Sequence, residues 1–263
     1  MKLAEHMDLF DPHEEIARIE EFLSRKRKII GFNRGIIGLS GGIDSSLTTV
    51  LAKRALTDQH LEIVFLPDAT TPEQDVRDVK ELAGEFDLTF SEFDIDPLVT
   101  TFRRDLGPFS ELAAANLKAR IRMVVLYAIA NQKGGLVLGT GNLSEYLLGY
   151  FTKYGDGAAD IAPLTHLYKE EVKEIASCLQ IPESIISKPP SAGLWDGQTD
   201  EEELGGSYED IDKVLYLKHD CNYPLKRVQS TLNLESDFVK NIYDMVDNSA
   251  HKREEPAGLD RKR

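Results

Sequence analysis

Cysteine is scarce in this chain: of 263 residues only Cys178 and Cys221 carry thiols, far apart and in no CxxC pair. That excludes a disulfide framework and a thiolate metal knuckle, and it fits reduced thiols. No apolar run approaches the length of a membrane-spanning helix, and residues 1–10 lack the apolar core of a secretory signal. The six histidines stand in no metal-ligand spacing, so no zinc site is expected, and no Gly-x-Ser-x-Gly elbow occurs. Positive charge is short as well, with 31 Lys and Arg against 45 Asp and Glu, a net charge of -14. A broad electrostatic footprint on DNA or RNA is thereby excluded, whereas a local cluster of cations can still hold a small anionic substrate. The one basic run, Arg25-Lys26-Arg27-Lys28, fits a helix end interacting with its dipole. These absences predict a soluble, cytoplasmic protein with no nucleic-acid and no membrane partner.

What is present is an alternation. Hydrophobic residues make up 41% of the chain, enough for the core of one large domain spanning 1–263. Asp11 and Pro12 open a helix with Ile16, Ile19, Phe22 and Leu23 on one face. Strands are expected at residues 35–39, 61–66, 88–95 and 136–140. Helices are expected after Ser45, from Thr71-Pro72-Glu73 through Phe86, and from Ser110 to Gln132. Strands alternating with helices give a doubly wound, mostly parallel α/β sheet with helices on both faces, in the Rossmann manner. That core should occupy about residues 30–180. Beyond residue 140 come helices near 167–179, 208–219, 225–232 and 237–248, and between them a Gly/Pro/Ser-rich loop with the only tryptophan, Pro189 through Thr199. A long polar loop of that kind reads as a lid.

Chemistry concentrates at the carboxyl ends of the strands. Ser40-Gly41-Gly42-Ile43-Asp44-Ser45-Ser46 stands between a strand and a helix, a nest of backbone N–H groups suited to phosphate. No Gly-Lys-Ser/Thr follows, so it is not a Walker A loop. Asp44 inside an anion-binding turn would repel phosphate unless a divalent cation lay between them, which implies ATP with Mg²⁺. Glu145, just past the fourth strand, either completes that site with Asp44 or is a helix first-turn acid favoured by the dipole. Lys169 is a surface helix lysine or a phosphate neutraliser. Of Arg120 and Arg122 on the long helix, one is expected buried and paired and the other solvated. Gly149-Tyr150-Phe151-Thr152-Lys153-Tyr154-Gly155-Asp156-Gly157 offers stacking faces, a cation and an acid, or else a tight turn.

SGGIDSS, GTGNLSE, GYFTKYGDGAADIAPL, KPPSAGLW, DGQTDE and NSAHKREEP, in this order and spacing, resemble the NAD⁺ synthetases among the N-type ATP pyrophosphatases. The resemblance implies amidation of deamido-NAD⁺ through an adenylylated nicotinate carboxylate, with release of pyrophosphate and AMP. It implies that Gly38, Leu39, Ser40, Gly41, Gly42, Ile43, Asp44 and Ser45 cradle ATP, joined by Thr140, Lys169 and Ser191. Asp44 and Glu145 would hold Mg²⁺, and Lys169 would stabilise charge on the transferring group. Arg120, Lys153, Asp160, His251 and Lys252 would contact deamido-NAD⁺, and Asp156 is a candidate for ammonium. Ser191 stands where other members often have Thr, and Gly141-Asn142 where some have Asp-His. Members of this type are homodimers, for which the helix from Ser110 to Gln132 is a plausible element. Only about thirty residues precede the loop strand, so no glutaminase domain is expected, and the nitrogen source is free ammonia or ammonia delivered by a separate protein. The alternatives are another enzyme of the same loop class, GMP-synthetase-like or tRNA-modifying, and a non-catalytic ATP sensor.

Overall fold

In a computed structural model of the chain, residues 10–191 and 199–259 are described. Four parallel strands form the sheet in the order β3-β2-β1-β4: β1 (Gly35–Gly38), β2 (Leu61–Phe65), β3 (Phe90–Glu92) and β4 (Leu136–Val137). Gly35 pairs with both Leu61 and Leu136, so β1 is central and the strand order reverses beside it. In a sheet of this kind the crevice between β1 and β4, beyond their carboxyl ends, is where a ligand fits.

One face is covered by α1 (Pro12–Ile30), α2 (Ile43–Leu56) and α3 (Glu73–Glu85), and later by α7 (Lys169–Cys178). Asp11 caps α1, accepting from the amides of His13 (2.9 Å) and Glu14 (3.3 Å), and Gly31 ends it in the left-handed region. Ile16, Ile19 and Leu23 then fall on one buried stripe against α2. The opposite face carries α4 (Asp96–Leu106) and α5 (Glu111–Lys133), packed through Ile95, Val99, Ile121 and Ala130. Helices on both faces of a parallel sheet are what the alternation predicted.

Two strands are shorter than expected. Strand β3 spans three residues rather than 88–95, because Ile95 turns inward and Pro97 starts α4, a helix missed in the sequence reading. Strand β4 stops at Val137, after which Leu138 bridges to Ile161 instead of continuing to Thr140. The short helix α6 (Leu143–Leu148) was anticipated only as the alternative that puts Glu145 in a helix first turn, and α8 (Glu183–Ile186), α9 (Asp200–Leu204) and α13 (Ala250–Arg253) were not anticipated. A separate apolar layer unites α6 with α9, α10 (Tyr208–His219), α11 (Leu225–Thr231) and α12 (Ser236–Asn248) around Tyr208, Ile211, Leu215 and Ile242. The expected lid falls largely on 192–198, outside the described residues; at its ends the amide of Asp200 donates to the carbonyl of Pro190 at 2.8 Å. Among the described residues no helix is long and apolar enough to cross a membrane.

Candidate active site

The phosphate loop leaves β1 and becomes the first turn of α2. Gly41 has φ +87, and a Cβ there would lie 2.7 Å from the carbonyl oxygen of Asp75, so only glycine fits. Ser45 Oγ accepts from the amide of Ser40 at 3.1 Å and donates to the carbonyl of Gly42 at 3.0 Å. Those two bonds fold the loop over the helix N-terminus, where backbone N–H groups and the dipole both favour an anion. Leu39 and Ile43 are buried beneath it as anchors.

Beside this turn the structure brings together the residues expected for metal and charge stabilisation. Lys169 Nζ lies 2.5 Å from Asp44 Oδ2 and 3.3 Å from Glu145 Oε1, with only 3% of the lysine side chain exposed. Lys169 is therefore not a surface helix lysine. Its ammonium stands 5.3 Å from the centre of the Tyr208 ring, a cation–π wall. Burial works against its charge, but Asp44 and Glu145 outweigh it and hold the pKa above the ordinary value. Glu145 keeps 19% side-chain exposure, yet dense protein surrounds it; burial first and the Asp44 charge second push it up to about 8, against the pull of Lys169. It does also occupy the first turn of α6: the Glu145 amide donates to Asn142 Oδ1 at 3.0 Å in a capping box. Of the two sequence readings of Glu145, the structure shows the place in a helix first turn. Thr140 lies three residues past the end of β4, and Ser191 follows Pro190, whose carbonyl accepts from the amide of Asp200.

A second group assembles where the loop after α6 meets the tail. Gly149 ends α6 at φ +68, and a Cβ there would lie 2.2 Å from that of Ser249, so the tail closes against glycine alone. Lys252 Nζ then donates to the carbonyls of Gly149 (2.6 Å) and Phe151 (2.8 Å). Lys153 Nζ donates to the carbonyl of His251, and Arg120 Nη2 to that of Lys153 at 3.3 Å. Arg120, Lys153, His251 and Lys252, four of the five residues expected for the dinucleotide, are thus contiguous. Asp160 is placed at the sheet edge, where Oδ2 accepts from the amide of Val137 at 2.8 Å and Tyr127 donates to Oδ1 at 3.4 Å. Asp156 accepts from the amide of Thr152 at 3.0 Å and bonds within its own loop. Arg120 is exposed, while Arg122 reaches Asp68 at 2.8 Å and the carbonyl of Leu66, the split expected for the pair.

Three contributors escaped sequence reasoning. Asn142 donates from Nδ2 to Asp44 Oδ1 at 2.8 Å, tying the phosphate loop to the cap of α6. Lys188 donates to the carbonyl of Gly41 (2.7 Å) and pairs with Asp75 (2.8 Å) and Asp78 (2.6 Å), fixing the loop from the other side. Asp200, buried, bonds Tyr208 at 3.3 Å and adds negative charge near Glu145 and Lys169. Asn142 and Asp44 stand 98 positions apart and Lys188 and Gly41 147, while Asp200 and Tyr208 stand eight apart; the motifs GTGNLSE, KPPSAGLW and DGQTDE contain the three residues but do not show these bonds.

The comparisons agree with this geometry. Residues 15–256 match the family model described as NAD synthase. An NH(3)-dependent NAD(+) synthetase from Thermoplasma volcanium is 46% identical over 249 residues, 95% of this chain and 98% of that protein. An NMN synthetase structure from Francisella tularensis superposes with TM-score 0.84 at 34% identity, over 95% of this chain and 99% of that one. An NH3-dependent NAD synthetase from Campylobacter jejuni, in complex with nitrate, gives TM-score 0.81 at 29% identity, over 95% and 100%. The chain belongs to the NAD synthase family.

Proposed function

We propose that this chain makes NAD⁺ from deamido-NAD⁺ and ammonia, activating the nicotinate carboxylate with ATP. The observation that carries the reading is the Lys169 ammonium, held between Asp44 and Glu145 beside a glycine turn at the point where the strand order reverses. A carboxylate resists attack by ammonia, and adenylylation gives it a leaving group. A nicotinate oxygen bonds to the α-phosphorus of ATP, the bond from that phosphorus to the α–β bridging oxygen breaks, and pyrophosphate departs. Ammonia then attacks the carbonyl carbon, AMP leaves with the carboxylate oxygen, and the nitrogen sheds a proton to give the amide.

This chain's residues serve each stage. The amides of the turn from Gly38 to Ser45 receive the phosphates. Lys169, buried and positively charged, faces the charge that develops on the transferring group, where a desolvated cation counts for most. Arg120, Lys153 and Lys252, with His251 beside them, form a cluster for the dinucleotide pyrophosphate, Asp160 adds an acceptor, and Asp156 is the acid proposed for ammonium. Thr140 and Ser191 offer hydroxyls to ATP. Asp44 and Glu145 fit a Mg²⁺ ion: both offer hard carboxylate oxygens, and their shared contact with Lys169 brings them to one point. A site of one or two carboxylates completed by phosphate and water is that ion's habit. The ion would neutralise phosphate charge there.

The likeness to the Francisella NMN synthetase supports a second reading, in which nicotinate mononucleotide is amidated. The closer sequence relative favours the dinucleotide. A homodimer is proposed through α4 and α5, which expose Phe102, Leu106, Leu112 and Val124 along the face away from the sheet; sedimentation at a single boundary of monomer mass would sink it. Activity in the cytoplasm is part of the same reading. The deciding assay supplies Mg-ATP with deamido-NAD⁺ or nicotinate mononucleotide, and ammonium or glutamine. NAD⁺ from ammonium and deamido-NAD⁺ is expected. Preferred turnover of the mononucleotide would move the substrate, and pyrophosphate release without either amide would move the acceptor.

A further inference from the structure

Asp212 is fully buried and takes no part in the chemistry above, yet its carboxylate bonds to both helices that carry it. Oδ1 accepts from Ser144 Oγ at 2.5 Å, and Oδ2 accepts from the amide of Glu170 at 3.1 Å. Ser144 Oγ in turn accepts from the amide of Lys169 at 3.0 Å. Ser144 precedes Glu145 in the first turn of α6, and Lys169 and Glu170 open α7. One turn earlier on α10, on the same face, Tyr208 sets its ring beside the Lys169 ammonium. Ile211 and Leu215 lie in the same apolar layer, and the nearby carboxylates of Glu170 and Glu171 add repulsion. A carboxylate is costly in such a layer, and burial pushes it up to about 7 in spite of the bonds from Ser144 and Glu170. A leucine would pack there without that cost.

We propose that Asp212 is a positioning residue: by pinning the first turns of α6 and α7 to each other, it sets where Glu145 and Lys169 stand. The proposal rests on the reading of Asp44, Glu145 and Lys169 as the ATP site. The chain of bonds runs from α10 through Ser144 to the backbone of Lys169 itself, so a shift at Asp212 is passed to the ammonium within one residue. A misplacement of about 1 Å at reacting groups can cost about a hundredfold in rate.

The test uses Asp212→Asn and Ser144→Ala, with Glu209→Gln on the exposed side of α10 as a control expected to behave as wild type. NAD⁺ formation, circular dichroism and calorimetric affinity for an ATP analogue blocked between the α and β phosphates are measured on each. Turnover per folded molecule should fall at least about thirtyfold and analogue affinity about tenfold. The KM for deamido-NAD⁺ should stay within about threefold, because Arg120, Lys153 and Lys252 are held by other bonds. A purely structural role would lower the melting temperature and leave turnover per folded molecule unchanged, and that result overturns the proposal. A wild type that makes no NAD⁺ overturns the functional reading instead. Analogue affinity then decides for Asp212: a tenfold loss supports its role and an unchanged value refutes it. Should Asp212→Asn fail to fold, Ser144→Ala is judged on the same outcomes.

Discussion

Replacing Lys169 by methionine keeps the length of the side chain and removes its charge. In the native site that charge lies 2.5 Å from Asp44 and 3.3 Å from Glu145, almost wholly buried. Losing one preorganised charge-stabilising group at a developing anion costs about 100–1,000-fold in turnover, roughly 3–4 kcal/mol. Removing one partner of a buried ion pair ordinarily costs a further 3–5 kcal/mol or so of stability. Here Glu145 has an exit, because it is already held near 8 and can take up a proton. An acid whose folded pKa lies above its unfolded value binds more protons folded than unfolded between the two. Stability therefore falls as pH rises through that window, by at most about 1.4 kcal/mol per pH unit for each proton. Without the ammonium the window extends above 8, so the gap between variant and wild type should widen from pH 6 to pH 9. Urea melts of both proteins at the two pH values, without metal or nucleotide, measure that gap, and coupled NAD⁺ detection measures turnover. A turnover loss under about tenfold, or an equal destabilisation at pH 6 and pH 9, would refute the placement of charge argued above.

Gly41→Ala forces a left-handed residue and a Cβ into the carbonyl of Asp75, so it should cost about 1–3 kcal/mol and raise the KM for ATP; an unchanged KM for ATP would detach the loop from the nucleotide. Lys153→Ala should raise the KM for the dinucleotide more than that for ATP, and the reverse order in steady-state kinetics would reassign the residue. Asp68→Asn leaves Lys118, 5% exposed in its side chain, without the carboxylate it pairs with at 3.2 Å, a loss of roughly 3–5 kcal/mol at pH 7. Burial raises the Asp68 carboxyl, but Thr70, Arg122 and Lys118 together hold it below the ordinary 3.8. Its contribution is therefore present above the unfolded value and is lost as pH falls through the folded one, so melts of variant and wild type should converge below about pH 4.

Local signals in the sequence carried the elements that depend on neighbours along the chain. Asp11-Pro12 and Gly31 bound α1, Ser110 and Gly134 bound α5, and Tyr208 to His219 form a helix with the expected limits. The turn from Ser40 to Ser46 was legible for the same reason, since its strand, glycines and helix start are contiguous. Helix α4 was missed because the preceding run 88–95 reads as a strand, while its Ile95 is spent on the other face of the sheet. The supports of the site were missed for a different reason. Asn142 with Asp44, Ser144 with Asp212 and Lys188 with Gly41 are each joined by one bond across 98, 68 and 147 positions. No period or composition encodes such a bond; the parallel crossovers that bring strand ends together create it.

That long-range assembly also bears on how a chain of net charge -14 would receive the two polyanions proposed for it. Most lysines and arginines in the structure face carboxylates: Lys118 and Arg122 face Asp68, Lys188 faces Asp75 and Asp78, and Lys213 faces Glu209 and Asp210. Arg120, Lys153, Lys252 and Arg253 bond backbone carbonyl oxygens instead. A carbonyl orients a cation without cancelling its charge, whereas a carboxylate cancels it. The cluster beside Gly149 therefore keeps its positive charge, which under the proposed function would draw an anionic dinucleotide to it. Placing a carboxylate within reach of Lys153 should then weaken the dinucleotide without moving any backbone, whereas added acid elsewhere on the surface should leave it unchanged.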